Sequence, residues 1–287
     1  MNRLRKIRTP FASWGKSAVA GLFILCFFIV IALFAGAFAP YDPVARSGSP
    51  YEPPSANHLL GTNDIGQDIL SEMIFGTRVS LLIGIASAFF SVAIGTILGM
   101  VAGYLRGWAE TVIMAMTDIF MSIPGLTLTV VLIAYLGGGT ANIIAIISLS
   151  SWAGTTRIVR ARAMQVCALP FIQIEKTFGL SHAMILLRHL LPNIMDIVII
   201  RYAMAVGSAM MTETSLSFLG LASYGNKSWG TVLRYAFFRN GLLRNYWWWY
   251  LPPIVCVSLC VLACTMLANR NKSRLNIQSV SGVEKGG

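Results

Sequence analysis

Residues able to do chemistry are sparse in this chain, and most stand in apolar surroundings. Cys256, Cys260 and Cys264 recur at every fourth position, which places three thiols on one face of a helix. Such a set suits a soft cation, but small polarisable side chains filling a helix–helix contact give the same pattern, and that reading is preferred. Together with Cys26 and Cys167 they form no disulfide framework. His58, His182 and His189 fall in connecting segments on opposite sides of the topology developed below, so no metal site is expected. Gly15-Lys16-Ser17 looks like the end of a phosphate-binding loop, yet Pro10 stands where that loop needs its first glycine. Asn226-Lys227-Ser228 has the form of a glycosylation sequon and is read as chance. No catalytic constellation emerges, and the chain is not expected to be an enzyme.

Ionisable residues within apolar runs are costly and suggest a pathway or a buried pair. Glu110 and Asp118 open one such run, Asp196 and Arg201 open another, and Glu213 lies deep in the second. Asp196 and Arg201 read as interfacial side chains that snorkel. Asp118 and Glu213 are the pathway candidates; for Glu213 a structural hydrogen bond to a neighbouring helix explains the residue equally well.

The elements that must position these groups are membrane helices. Of 287 residues, 56% are hydrophobic and 11% charged, and the mean hydropathy is +0.69. Soluble domains carry about 25% charged residues, so a soluble enzyme is excluded and an all-α polytopic membrane protein is expected. The net charge of +11 is assigned to basic ends of membrane helices rather than to nucleic-acid binding. Six apolar runs are long enough or nearly so: 17–39, 79–104, 112–136, 142–158, 194–221 and 246–268. The first follows Arg3, Arg5, Lys6, Arg8 and Lys16, and is too long for a signal peptide. Pro124 is expected to kink the third. Most Lys and Arg then fall on the side of the N-terminus, which places both termini in the cytoplasm. The chain divides into residues 1–78 (N-terminus, first helix and external loop), a transmembrane core over 79–268, and a polar tail over 269–287.

Gly95, Gly99 and Gly103 clear one helix face for close approach of another backbone. Whether that neighbour is in this chain or in a second subunit is open at this point. The external segment 40–78 is rich in Pro, Gly and Asp, and the cytoplasmic segment 159–192 has helical spacing around Gly179. A helical hairpin as the largest internal loop suggests docking to a cytoplasmic partner.

Two stretches carry a resemblance. His58-Leu59-Leu60-Gly61-Thr62-Asn63-Asp64-Ile65-Gly66-Gln67-Asp68-Ile69-Leu70-Ser71, followed by Gly76-Thr77-Arg78-Val79-Ser80-Leu81, resembles the external signature HLLGTDxxGRDxLSRxxxGxRxSL of peptide/nickel-class ABC importer permeases of the C type. Gly61, Thr62, Asp64, Gly66 and Asp68 are its marker positions. Phe171–Pro192 is similar to the cytoplasmic coupling loop, E-A-A-x3-G-x9-I-x-L-P, with Gln173, Ile174 and Glu175 at the E-A-A positions, then Gly179, Leu191 and Pro192. Ser215–Leu221, Ser228-Trp229-Gly230, Asp118 and Pro124 also fit.

The resemblance implies a multi-pass permease of the bacterial inner membrane with six helices and a coupling-helix hairpin. A second homologous permease, two cytoplasmic ATPases and an external solute-binding protein would complete the importer. ATP and magnesium would be bound by the partner subunits, leaving no cofactor in this chain. ATP-driven closure would push through the coupling loop and alternate access for short peptides or for nickel and other metal chelates. Two departures stand out. Gln173 replaces the family's leading glutamate, which is tolerable if the loop docks by packing and weakens coupling if docking needs a salt bridge. The usual acidic ending is replaced by Asn269-Arg270-Asn271-Lys272-Ser273-Arg274. The rival readings are a secondary transporter with Glu213 or Asp118 carrying a proton, and a non-transporting scaffold.

Overall fold

The computed structural model describes residues 16–170, 172, 178, 180–221 and 227–269. Within them the fold is helical, with a lone bridge between Thr62 and Asp68. The helices are α1 (Lys16–Leu33), α2 (Ala35–Phe38), α3 (Ile69–Leu105), α4 (Gly107–Ser122), α5 (Gly125–Leu136) and α6 (Thr140–Cys167). They are followed by α7 (His182–Phe218), α8 (Trp229–Phe238) and α9 (Trp247–Ala268). Ile185–Leu190 within α7 winds as a π-helix.

By length and composition α3, α7 and α9 each suffice to cross a membrane, and α4 with α5 makes a fourth if the bent pair is one span. The two halves of that pair meet at 87°, because Pro124 has no N–H for a continuing ladder and forces Ile123 into an extended conformation. α1 is apolar but shorter. α6 falls short of the composition because Ser148, Ser150, Ser151, Thr155, Thr156 and three arginines interrupt it. It is covered instead: Ile143, Ile146, Ile147, Trp152 and Val159 are buried.

α3 is the central element, and its glycines decide what it touches. A Cβ on Gly95, Gly99 or Gly103 would come within 2.6, 2.7 and 2.7 Å of Thr155, Val159 and Ala163 on α6. The glycine stripe therefore packs within this chain, with α3 and α6 running parallel. On another face, Gly84 admits Met210 of α7, with α7 antiparallel. Gly21 of α1 lies against Ala263 and Met266 of α9. Arg78 stitches α1 to α3: its Nε donates to the Ala32 carbonyl (3.0 Å) and its Nη2 to Leu33 (3.3 Å). That satisfies terminal carbonyls of α1 with a cation, which the helix dipole favours.

A core of Phe28, Leu81, Met210, Trp229, Trp249, Cys260 and Cys264 joins α1, α3, α7, α8 and α9. Cys260 and Cys264 fill a helix contact, and Gly207 of α7 would place a Cβ 3.3 Å from Cys264. A second cluster at the far end of α3 gathers Met100, Tyr104, Val159, Ile172, Ile185, Leu190 and Ile194. It holds both ends of the segment between α6 and α7.

Candidate functional site

The segment between α2 and α3 folds into a compact cap on one end of the bundle. Gly61 and Gly66 adopt φ of +68° and +83°, a region open to glycine at little cost. A Cβ there would also collide with the Glu52 and Gly48 carbonyls at 2.4 and 2.2 Å. Between them Asn63 forms a turn, its Oδ1 accepting from Ile65 N (3.0 Å) and Gln67 N (2.9 Å). Thr62 donates to the Ser49 carbonyl at 2.6 Å and accepts from Glu52 N at 2.9 Å. Ser49 N–H donates to the Glu52 carboxylate, which holds that carboxyl below its ordinary range.

Asp68 caps α3 from a fully buried position. Its Oδ2 accepts from Ser71 N (2.8 Å) and Ser71 Oγ (2.7 Å), and its Oδ1 lies 3.0 Å from His58 Nδ1. One turn on, Glu72 is 2% exposed and pairs with Lys227, which precedes α8. Asn63 Nδ2 donates to Glu72 Oε1 (3.0 Å) and Gln67 Oε1 (2.9 Å), and Lys227 Nζ donates to Gln67 Oε1 (2.8 Å). Arg239 reaches Asp64 at 3.1 Å. The cap is thus pinned to the chain around α8 by two ion pairs, while Leu59 and Ile65 remain exposed.

Below the cap Glu213 is 1% exposed. Its carboxylate accepts from Ser80 Oγ of α3 (3.3 Å) and Ser217 Oγ of α7 (2.7 Å). Ser228 Oγ donates on to Ser217 Oγ at 3.3 Å, and Trp229 N donates to Ser80 Oγ at 3.2 Å. This node joins three helices. Asp118 occupies a different place: it is exposed on α4 and ion-paired with Arg157 of α6. Glu110 pairs with Arg160, and Asp196 lies 3.4 Å from Arg162.

The proposed coupling residues Gln173, Glu175 and Gly179 lie outside the described residues, as does the tail from Arg270 onward. Leu191 and Pro192 continue α7 directly after its π-helical turn, with Leu190 and Ile194 buried in the cluster named above.

The sequence profile of the binding-protein-dependent transport system inner membrane component matches residues 95–276. The chain belongs to that family. A second profile, the N-terminal TM domain of oligopeptide transport permease C, matches residues 16–54. Among relatives, the dipeptide transport system permease protein DppC of Bacillus subtilis (strain 168) is 33% identical over 259 residues, covering 88% of this chain and 79% of the relative. The glutathione transport system permease protein GsiD of Pectobacterium atrosepticum is 35% identical over 246 residues, 82% and 81% of the two chains. Its counterpart in Escherichia coli O157:H7 is 34% identical over 243 residues, 80% and 79%. The protein is accordingly a multi-pass inner-membrane permease subunit of a binding-protein-dependent ABC importer, working in a complex with ATPase and solute-binding partners.

Sequence reasoning did not find Glu72, Lys227 or Arg239 as parts of this permease's cap. Glu72 gave one available signal, an acid just ahead of the second apolar run. Its partner lies 155 residues away in sequence, and nothing local points to it.

Proposed function

We propose that this permease carries short peptides inward through the membrane by alternating access, driven by ATP that separate subunits bind with magnesium and hydrolyse. The observation that carries the reading is the similarity to dipeptide and glutathione permeases over most of both chains. Six passes with both termini in the cytoplasm agree with the alternating directions of α1, α3, α7 and α9 seen in their packing. The working complex contains a second homologous permease, two ATPases and an external binding protein. Alternating access then follows from two conformations that ligand and nucleotide bias in opposite senses.

In this reading the cap around Gly61, Thr62, Asp64, Gly66 and Asp68 is a rigid platform for the binding protein, which meets exposed side chains such as Leu59 and Ile65. Gln173, Glu175 and Gly179, with Leu191 and Pro192 leading into α7, receive the push of the ATPase. Because Ile172 and Ile185 are clamped in one cluster with Met100 and Tyr104, displacement of that loop is transmitted to α3 and α7 together. Asp118 borders the path, whereas the buried Glu213 is assigned to holding α3, α7 and α8 in register.

The test is accumulation of labelled dipeptide by cells with and without this chain, with labelled nickel measured in parallel. Dipeptide uptake that depends on the chain is expected. Nickel uptake that depends on it, with dipeptide uptake unchanged, would overturn the substrate assignment.

A further inference from the structure

Arg201 of α7 is a half-buried cation with no counterion among the described residues. At ~1.5 Å per residue it lies ~15 Å beyond Leu191 along the helix. Its guanidinium turns toward α6 rather than toward a helix end. Nη2 is 3.5 Å from Thr155 Oγ1, and a Cβ on Gly154 would come within 3.6 Å of the same nitrogen. Both residues lie near the midpoint of α6 (Thr140–Cys167), so this side chain packs against a neighbouring helix instead of running along its own toward solvent. Its Nε is buried with no hydrogen-bond partner among the described residues.

Each acid on the described helices has a partner, although Asp196 keeps its Oδ1 buried without a hydrogen bond among the described residues. Glu72 pairs with Lys227, Glu110 with Arg160, Asp118 with Arg157 and Asp196 with Arg162, and Glu213 is held by Ser80 and Ser217. Among the described residues no carboxylate comes within ion-pair distance of Arg201. An uncompensated guanidinium on a membrane-spanning helix is expensive to keep and marks a place that meets an anion.

The face of α7 that continues from Arg201 points the same way. Met204, Ser208, Met211, Thr212 and Ser215 follow at helical spacing, and Met204 and Met211 are 49% and 53% exposed. The opposite side, with Val206, Ala209 and Met210, is buried. Outward faces elsewhere carry Leu82, Phe89, Phe90 and Ile97, as hydrocarbon demands. Hydroxyls and adaptable thioethers instead suit a wet, unselective wall.

We infer that Arg201 receives the carboxylate of the peptide in transit, with the Thr155 hydroxyl beside it and the Met204–Ser215 face as the wall along which the rest of the peptide lies. The inference rests on the peptide reading above. The terminal carboxylate is the one anion every unmodified short peptide shares irrespective of its side chains, so a single guanidinium able to make two parallel bonds to it gives purchase without sequence selectivity.

The experiment uses the complete importer with its binding protein in proteoliposomes, and the wild type, Arg201→Met and Arg201→Lys permeases. Uptake of a labelled dipeptide is divided by uptake of its C-terminal amide, so that any preference of the shared binding protein cancels between variants. The ratio is expected to fall roughly tenfold in Arg201→Met, the loss of one charge-assisted contact, and to stay within about threefold of wild type in Arg201→Lys, where the charge remains. An unchanged ratio in Arg201→Met overturns the inference. So does loss of the second permease from the purified Arg201→Met complex, which would make Arg201 the partner of a neighbouring subunit's carboxylate. If the wild type carries neither dipeptide nor amide, the peptide reading itself falls, before any variant is compared.

Discussion

Removing Lys227 should loosen the external cap by an amount the structure allows to be worked out. Its ammonium is the counterion of Glu72, which is 2% exposed. In Lys227→Ala the carboxylate keeps one donor, Asn63 Nδ2 at 3.0 Å. An ion pair broken in this way costs about 3–5 kcal/mol, because the surviving charge stays buried. Glu72 has one escape, taking up a proton. Burial already pushes the Glu72 carboxyl above its ordinary range; counted from the open, solvated cap, where a glutamate keeps its ordinary pKa, protonation costs about 3.7 kcal/mol at pH 7 and about 1 kcal/mol at pH 5. The defect therefore reaches a ceiling near 3.7 kcal/mol at pH 7, or between two and three decades in the opening equilibrium, and shrinks as pH falls. Amide hydrogen exchange over residues 61–72 of the detergent-solubilised importer is the assay. Exchange in Lys227→Ala should accelerate by that factor at pH 7, after correction for intrinsic rates, and by less than tenfold at pH 5. Glu72→Gln introduced alongside should remove most of the difference. Equal protection in wild type and variant at pH 7, or a defect that grows toward pH 5, would refute the electrostatic account of the cap.

Other substitutions test separate joints. Gly99→Leu should prevent α3 and α6 from closing, since even a Cβ there meets Val159 at 2.7 Å; overpacking of this kind costs ~1–3 kcal/mol or more, read as a lower melting temperature of the solubilised complex. Arg78→Met exposes the Ala32 and Leu33 carbonyls and should cost about 1–3 kcal/mol, checked in the same melt, with Arg78→Lys retaining part of it. Gly179→Pro should abolish uptake while the ATPase partners still turn over and the permease still inserts; normal uptake by that variant would count against coupling through this segment.

Each of the six apolar runs coincides with a helical region, because apolar composition at this length favours a covered helix, yet α3, α7, α9 and the bent α4–α5 pair alone have the length and composition of a span among the described residues. Boundaries were less legible. α3 begins at Ile69, ahead of the apolar run at Val79, because Asp68 caps it and polar residues of its first turns are buried by the cap rather than by lipid. α8 escaped notice since its ten residues, opened by a Ser228–Thr231 capping box, are too few to read as a membrane span. The glycine stripe announced a close helix contact, but spacing alone holds no information on the partner, which is α6. Charge pairing was the least legible feature. Glu72 with Lys227 and Arg201 with α6 depend on which helices become neighbours, and local periodicity does not encode that choice.

ATP-driven peptide import through this chain is tested by accumulation of labelled dipeptide in proteoliposomes holding the complete importer, with ATP enclosed with the ATPase subunits and loaded binding protein on the opposite side. Accumulation that requires hydrolysable ATP, and that a protonophore leaves unchanged, is the expected result. Accumulation without ATP that a protonophore abolishes would contradict the account and favour a carrier driven by an ion gradient.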